Sequence, residues 1–351
     1  MTAARERRPL KLSIPPLRDI IVRMIGKFSR HVLLTGAGWS RNWGGQLANE
    51  VWSSLVGHPR IRANAGLRDL LLDETAFEVA LGKTHVAPFT AADRAEIEQA
   101  VLDIFVAIDR EIARPDHEPW INIYKVQELL FRFFGQRNEG NSSGYLFTLN
   151  QDLFFERHLY NEHVAGAPGG VLPGLVPNPG RRWFWTNIGA YDPTFMMQPA
   201  VDPRVQGRLA NQMNVIKLYG SFNWRSPDGG NAMVVGTEKT AEIASMPLLS
   251  WYADIFRAVI NAGDVRLMIA GYGFADEHIN AAIADAVEHH RLSLFIWNTT
   301  SDVKSLVLSS PHGARIWQGL ISTATRPLIE VFPSNQAETE EYRRIRATFF
   351  S

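Results

Sequence analysis

Short apolar runs alternate along this chain with stretches whose apolar positions recur every three or four residues. His31-Val32-Leu33-Leu34-Thr35 reads as a buried strand running straight into Gly36-Ala37-Gly38, and helical spacing follows over Gly45 to Val56. Tyr145 to Leu149 is a second strand-like run, opening onto Asn150-Gln151-Asp152 and a helix-like stretch from Leu153 to Tyr160. Val215 to Leu218 is a third, and Arg266 to Ala270 a fourth, stopped by Gly271 and Gly273 before a helix from about Glu277 to His290. Leu292 to Trp297 is the fifth, and Leu328 to Phe332 is read as the sixth. Short apolar strands alternating with helices predict an α/β fold: a mostly parallel sheet with helices on both faces.

Two stretches break the alternation. Over 59–140 strand patterns are missing, while Ile97, Val101, Ile104, Ile108 and Ile112 keep helical spacing, as do Val126, Leu129, Leu130, Phe133 and Phe134. These stripes predict a helical insertion packed on a core, and Thr90 with Asp93 opens its first long helix as a capping box. The second stretch, His163 to Asn211, is rich in Pro, Gly and aromatics, with Trp183, Phe184, Trp185, Tyr191 and Phe195. A lid and an assembly surface both suit a segment of this kind.

Composition narrows the classes. The 351 residues hold 36 Lys+Arg against 36 Asp+Glu and no cysteine. Balanced charge supplies no field for nucleic acid or anionic lipid, and Arg5, Arg7, Arg8 and Lys11 read as a solvated arm, so no direct nucleic-acid binding is expected. The absence of cysteine excludes disulfides, a thiol nucleophile and a Cys-ligated zinc ribbon. No run approaches the ~18 to 20 apolar residues a membrane span needs, which predicts a soluble, cytoplasmic protein with no membrane partner. No metal site is expected, because His289-His290 ends an apolar-striped helix and no His-Glu-x-x-His pattern occurs.

Chemistry gathers where the predicted strands end. Gly36-Ala37-Gly38-Trp39-Ser40 places glycines at a strand-to-helix turn, where backbone N–H groups can approach a pyrophosphate. A plain tight turn explains two glycines equally well, and Arg41 stands where a dinucleotide fingerprint has its third. Thr148-x-Asn150-x-Asp152 offers an amide and a carboxylate to the same end of the sheet, although Asp152 also suits an N-cap for the following helix. Asp276-Glu277 reads as a cap of the 277–290 helix, and Trp39 and Trp43 suit either nucleotide stacking or wedging of the loop.

With Leu218-Tyr219-Gly220-Ser221, Gly271-Tyr272-Gly273-Phe274 and Asn298, these motifs stand in the order and approximate spacing of the sirtuin (silent-information-regulator) family. The resemblance spans about Val32 to Asn298. It is closest to the bacterial anti-phage branch of NAD hydrolases, the HerA-associated type most of all, through Asn42-Trp43-Gly44 and the Gly271 to Asp276 segment. The resemblance implies a Rossmann-like NAD-binding domain over 31–58 and 141–333, interrupted by the helical module at 59–140. A basic arm and first helix over 1–30 and a C-terminal helix over 334–351 flank it. By resemblance, Gly36, Ala37, Gly38, Trp39 and Ser40 cradle the NAD phosphates, and Thr148, Asn150 and Asp152 face the nicotinamide ribose and carboxamide. Gly220 and Ser221 also border the dinucleotide, Gly271 and Gly273 border its adenosine side, and Asn298 reaches the adenine ribose.

Departures from the deacetylase pattern select the branch. The zinc cysteines are absent and the loop after Ser40 reads Gln46-Leu47-Ala48-Asn49, which favours an effector that splits NAD into nicotinamide and ADP-ribose. NAD is then the substrate, and Asn150, Asp152 and Tyr219 are the implied catalytic residues. Where the family has His-Gly, this chain has Tyr219-Gly220. A phenol with pKa near ~10 holds its proton at neutral pH, and losing a general base costs about 10²- to 10⁴-fold. Three readings follow: a variant hydrolysing NAD chiefly through Asn150 and a positioned water, an NAD-binding pseudoenzyme, or an inactivating substitution. The resemblance further implies a homo-oligomer, with a HerA-like ATPase or another defence-system protein as partner. The alternative function is an impaired NAD- or ADP-ribose-binding subunit assembled with such an ATPase.

Overall fold

Strand β1 (Lys27–Thr35) occupies the middle of a sheet whose strands all run the same way. On one side lie β2 (Ser142–Thr148), β6 (Met213–Lys217) and a two-residue edge, β3 (Gly170–Val171). On the other side lie β9 (Arg266–Ala270), β10 (Ser293–Trp297) and β11 (Leu320–Ala324). Val32, Leu33 and Leu34 are consecutive and fully buried, as a strand covered on both faces requires. In this computed structural model the described residues are 25, 27–114, 121–134, 142–159, 170–177, 197–199, 209, 213–226, 229–335 and 338–351. Arg5, Arg7, Arg8 and Lys11 of the basic arm, and Trp183, Phe184, Trp185, Tyr191 and Phe195 of the aromatic-rich stretch, lie outside them.

Register places the functional ends level. Thr35 is paired with Thr148, and Thr148 with Lys217, while on the other flank Thr35 pairs with Ala270, Ala270 with Trp297, and Trp297 with Ala324. The loops beginning at Gly36, Leu149, Leu218, Gly271, Asn298 and Thr325 therefore leave the sheet in one row.

Helices flank the sheet. After the single turn α1 (Ala37–Ser40) and a 3₁₀ turn over Arg41–Trp43 come α2 (Ala48–Gly57), α3 (Pro59–Ala63), α4 (Ala65–Asp73), α5 (Phe77–Lys83), α6 (Ala91–Ile112) and α7 (Ile123–Arg132). On α6 the stripe Ile97, Val101, Ile104, Ile108 and Ile112 is buried. Its capping box forms as the spacing predicts, with Asp93 N donating to Thr90 Oγ1 at 3.2 Å and Thr90 N to Asp93 Oδ2 at 2.9 Å. The turn α8 (Phe154–His158) follows β2. A second, four-stranded sheet joins β4 (Leu175–Pro177), β5 (Met197–Pro199), β7 (Gly220–Arg225) and β8 (Asn231–Met233). Then come α9 (Lys239–Ser245), α10 (Pro247–Ile260), α11 (Glu277–His290), α12 (Val303–Leu308), α13 (Gly313–Gln318), α14 (Leu328–Val331) and α15 (Glu340–Phe349). No single helix among the described residues is long and apolar enough to cross a membrane.

Some predicted boundaries move. The sixth strand is Leu320–Ala324, whereas Leu328–Val331 is a helical turn. Pro327, with φ −64°, suits a helix entry and has no N–H for a ladder, while Leu328 and Val331 bury one face at helical spacing. The first strand begins at Lys27 rather than His31, its pairing interrupted between Phe28 and Val32, where Arg30 has φ +63°. The helix read from Gly45 starts at Ala48, and the one read over Leu153 to Tyr160 is the turn Phe154–His158.

Candidate functional site

Beyond the carboxyl ends of the strands the loops enclose a cleft of about 870 Å³, within the ~300–1,000 Å³ range of small-molecule and cofactor sites. Its position follows from topology. The chain leaves β1 towards β2 on one flank and leaves β9 towards β10 on the other, so adjacent loops diverge and open a crevice. Gly36 to Ser40, Asn150, Asp152, Tyr219, Gly271, Gly273 and Asn298 all line it. Phe77, Glu78, Phe105 and Ile108 bring the helical stretch between β1 and β2 into its wall.

The glycines have a structural task that the motif alone does not reveal. Gly36 N donates to Ala270 O at 3.0 Å and Gly38 N to Gly271 O at 2.9 Å, so the loops after β1 and β9 touch backbone to backbone. A Cβ on Gly36 would lie 2.8 Å from Gly271 O, and one on Gly38 would lie 2.9 Å from Gly271 Cα. Gly271 itself has φ +67°, and its Cβ would meet Trp39 N at 2.3 Å. Gly273 differs, since a Cβ there meets nothing within 4 Å. The helix following the turn is only Ala37–Ser40, too short to add a full macrodipole to the N–H groups. Trp39 and Trp43 are buried among aromatic rings: Trp39, which also lines the cleft, stacks on Phe155 at 6.5 Å and meets Trp297 edge-on, and Trp43 lies 4.5 Å from Phe154.

Asn150 joins the end of β2 to this turn. Its Nδ2 donates to Gly36 O and to Ser40 Oγ, both at 3.1 Å, and the carbonyl partner fixes which way the amide faces. Ser40 Oγ in turn donates to Asp152 Oδ2 at 2.6 Å, while Asp152 Oδ1 accepts from Phe154 N at 3.0 Å. The carboxylate belongs to the cleft and bonds the first N–H of α8, but the N-cap of that turn is Leu153 rather than Asp152, against the sequence expectation. Among the described residues no group bonds Asn150 Oδ1, which leaves that atom for a water or a hydroxyl.

Beneath these residues lies a buried ion pair. Lys217 Nζ donates to Glu156 Oε1 and Ser221 Oγ, both at 2.8 Å, and to the Asp152 carbonyl. Lys217 is 0% exposed and Glu156 3%. Burial pushes the Glu156 carboxyl up, and the Lys217 ammonium opposes that rise. Ser221 supports this network and donates to Gln151 O at 2.9 Å; with Gly220 and Thr148 it stands behind the cleft rather than lining it. Thr148 Oγ1 accepts from Asn150 N at 3.0 Å, and Gly220, at φ +70°, would clash with Ala232 O if it carried a Cβ. All three are expected by resemblance to border the dinucleotide, and none is in the cleft's lining.

Tyr219 forms the wall at the end of β6. Its hydroxyl lies 3.3 Å from His278 Nε2, and Lys239 Nζ sits 5.0 Å from its ring centroid. Lys239 bridges Asp276 Oδ1 at 2.7 Å and Glu78 Oε1 at 2.9 Å. Asp276 thus turns its carboxylate to Lys239 and makes no side-chain cap to α11, against the sequence expectation. Burial, reinforced by the Asp276 carboxylate, drives the Tyr219 phenol far above its ordinary value. Burial lowers the His278 imidazole and raises the Glu78 carboxyl. Asn298 closes the opposite end, with Nδ2 donating to Tyr272 O at 3.0 Å and Oδ1 accepting from Thr300 N at 3.0 Å.

Glu78, Lys239 and His278 are site residues that sequence patterns miss. They come from α5, α9 and α11, far apart in the chain, and no spacing links them. The lining carries the cations Arg41 and Lys239 against the carboxyls Glu78, Asp152 and Asp276, so it offers no excess of positive charge. Among the described residues no three His, Asp or Glu side chains gather as metal ligands. Compared with known proteins, the sequence matches no family model and no curated protein. Fold and geometry define the class: an open, parallel α/β protein with a ligand-sized cleft at its topological switch point.

Proposed function

We propose that the cleft binds NAD and that the chain hydrolyses it to nicotinamide and ADP-ribose, as an anti-phage effector of the sirtuin-like type its motifs resemble. One observation carries this reading: the Asn150 amide, from β2, is hydrogen-bonded at 3.1 Å to the glycine turn that follows β1, inside one cleft of about 870 Å³. An amide with Nδ2 held by Gly36 O and Ser40 Oγ has its oxygen left to orient a water against the ribosyl carbon. The turn from Gly36 to Ser40 would lie beside the pyrophosphate with Gly36 N, Gly38 N and Trp39 N already bonded to Ala270 O, Gly271 O and Gly36 O, and the carboxyls of the lining suit the cationic nicotinamide end better than the phosphates. Action in the cytoplasm belongs to the same proposal and rests on the want of a long apolar run, while assembly as a homo-oligomer and partnership with a HerA-like ATPase rest on the resemblance alone.

A second reading is favoured by Tyr219. A buried phenol whose pKa is driven upward by burial makes a poor base by itself, which suits a subunit that binds NAD or ADP-ribose without turning it over and assembles with an ATPase. Incubation with NAD and chromatography of nicotinamide separates the two. Hydrolysis predicts release by the parent and a loss of about 10²-fold or more in kcat for Asn150→Ala. If neither the parent nor Tyr219→His releases nicotinamide while NAD still binds, the binding-subunit reading stands instead.

A further inference from the structure

We infer that His278, one layer behind the cleft, is the positioning residue through which Tyr219 moves a proton, so that the pair does what a lone tyrosine cannot. The inference rests on the hydrolase reading above. Tyr219 lines the cleft, whereas His278, in the first turn of α11, does not. The hydroxyl and Nε2 are 3.3 Å apart, a separation that catalytic pairs commonly shorten once substrate is bound. The two rings sit 5.7 Å apart at 48°, and Lys239 over the tyrosine ring pins it from another side.

Protonation states suit the geometry. Burial holds Tyr219 as a phenol and His278 as a neutral imidazole; in the tautomer with its ring proton on Nδ1, Nε2 accepts from the hydroxyl, for whose proton the Asp276 carboxylate competes. His278 faces the Asp276 carboxylate, which favours its protonation, and Lys239 and Arg257, which oppose it. Tyr219 faces Asp276, Tyr272 and Glu78, all of which oppose its ionisation. A phenol that donates to His278 keeps oxygen lone pairs able to accept a proton, and Tyr219 belongs to the cleft lining. The attacking water then gives a proton to the Tyr219 oxygen as the tyrosine's own proton passes to His278 Nε2. The water oxygen bonds to C1′, the bond from C1′ to nicotinamide breaks, and its electron pair leaves on the nicotinamide nitrogen. His278 finally releases its proton to solvent, which balances NAD and water against nicotinamide, ADP-ribose and one proton.

Steady-state nicotinamide release over about pH 5 to 9, with NAD affinity measured by calorimetry, tests this on the full chain, His278→Gln, Tyr219→Phe and the double variant. The expected kcat of the parent falls as pH drops through a value below the ordinary ~6.5 of histidine. His278→Gln should lower kcat about 10²-fold, leave KM and NAD affinity within about twofold, and abolish that acid limb. The double variant should be no slower than the worse single one, because both remove the same route. Full kcat with the acid limb intact in His278→Gln, or additive losses in the double variant, overturns the inference while hydrolysis stands. A parent that binds NAD and releases no nicotinamide overturns the hydrolase reading and this inference together.

Discussion

Gly271 and Gly273 look interchangeable as letters, yet the structure gives them opposite duties. Gly271 sits at φ +67° with Trp39 N where its Cβ would be, so Gly271→Ala must both strain the backbone and push two loops apart. A loss of about 2–4 kcal/mol in urea unfolding is expected. Gly273→Ala, with nothing within 4 Å, should change stability by no more than about 0.5 kcal/mol. Any weakening of NAD binding by Gly273→Ala would then report ligand in that open space rather than damage to the fold. Equal destabilisation by the two substitutions would refute the loop contact. Residue types at 36, 38 and 271 were legible as turn glycines; their mutual contact was not, because it joins loops distant in the chain.

At the level of elements, local chemistry governs. The α6 capping box is written within four consecutive residues, so spacing alone finds it. Thr90→Ala should cost about 1 kcal/mol, read as a lower midpoint in thermal unfolding. Thr90 and Asn64 hold the Asp93 carboxyl below its usual range. Its folded pKa is therefore depressed relative to the unfolded chain, and its contribution is present at neutral pH and lost as pH falls through that lowered value. Thr90→Ala should correspondingly reduce the acid sensitivity of unfolding. Local reading fails at β11 and α14 because Leu320–Ala324 is an edge strand whose Ile321 is 45% exposed, giving it no continuous apolar signature. Of the apolar cluster after Pro327, Leu328, Val331 and Phe332 are buried by a helical turn, while Ile329 faces outward.

Across the whole molecule, the Lys217 and Glu156 pair ties β6 to α8 beneath the cleft. Removing one partner strands the other in the interior, and Lys217→Met should destabilise by about 3–5 kcal/mol at neutral pH. In that variant Glu156 has lost the cation that opposed its upward shift, so the folded state takes up a proton more readily than the unfolded one. The deficit should therefore shrink as pH falls and grow as it rises, a trend that urea titrations at several pH values measure. Loss of the Lys217 bond to the Asp152 carbonyl should also disturb the Ser40 and Asp152 contact, so NAD affinity should fall with stability.

Periodicity along the chain by itself determined the α/β class, five of the strands, the α6 and α11 helices and the candidate chemistry at Gly36 to Ser40, Asn150 and Asp152, since strand and helix preferences act over a few residues. Only the tertiary structure decided that Thr35, Thr148, Lys217, Ala270 and Trp297 end level and deliver their loops to one cleft. It alone decided that Thr148, Gly220 and Ser221 stand behind that cleft, and that Glu78, Lys239 and His278 surround Tyr219. The physical reason is that register and loop-to-loop contact are long-range. They depend on which strands neighbour one another, and no local spacing of residues encodes that order.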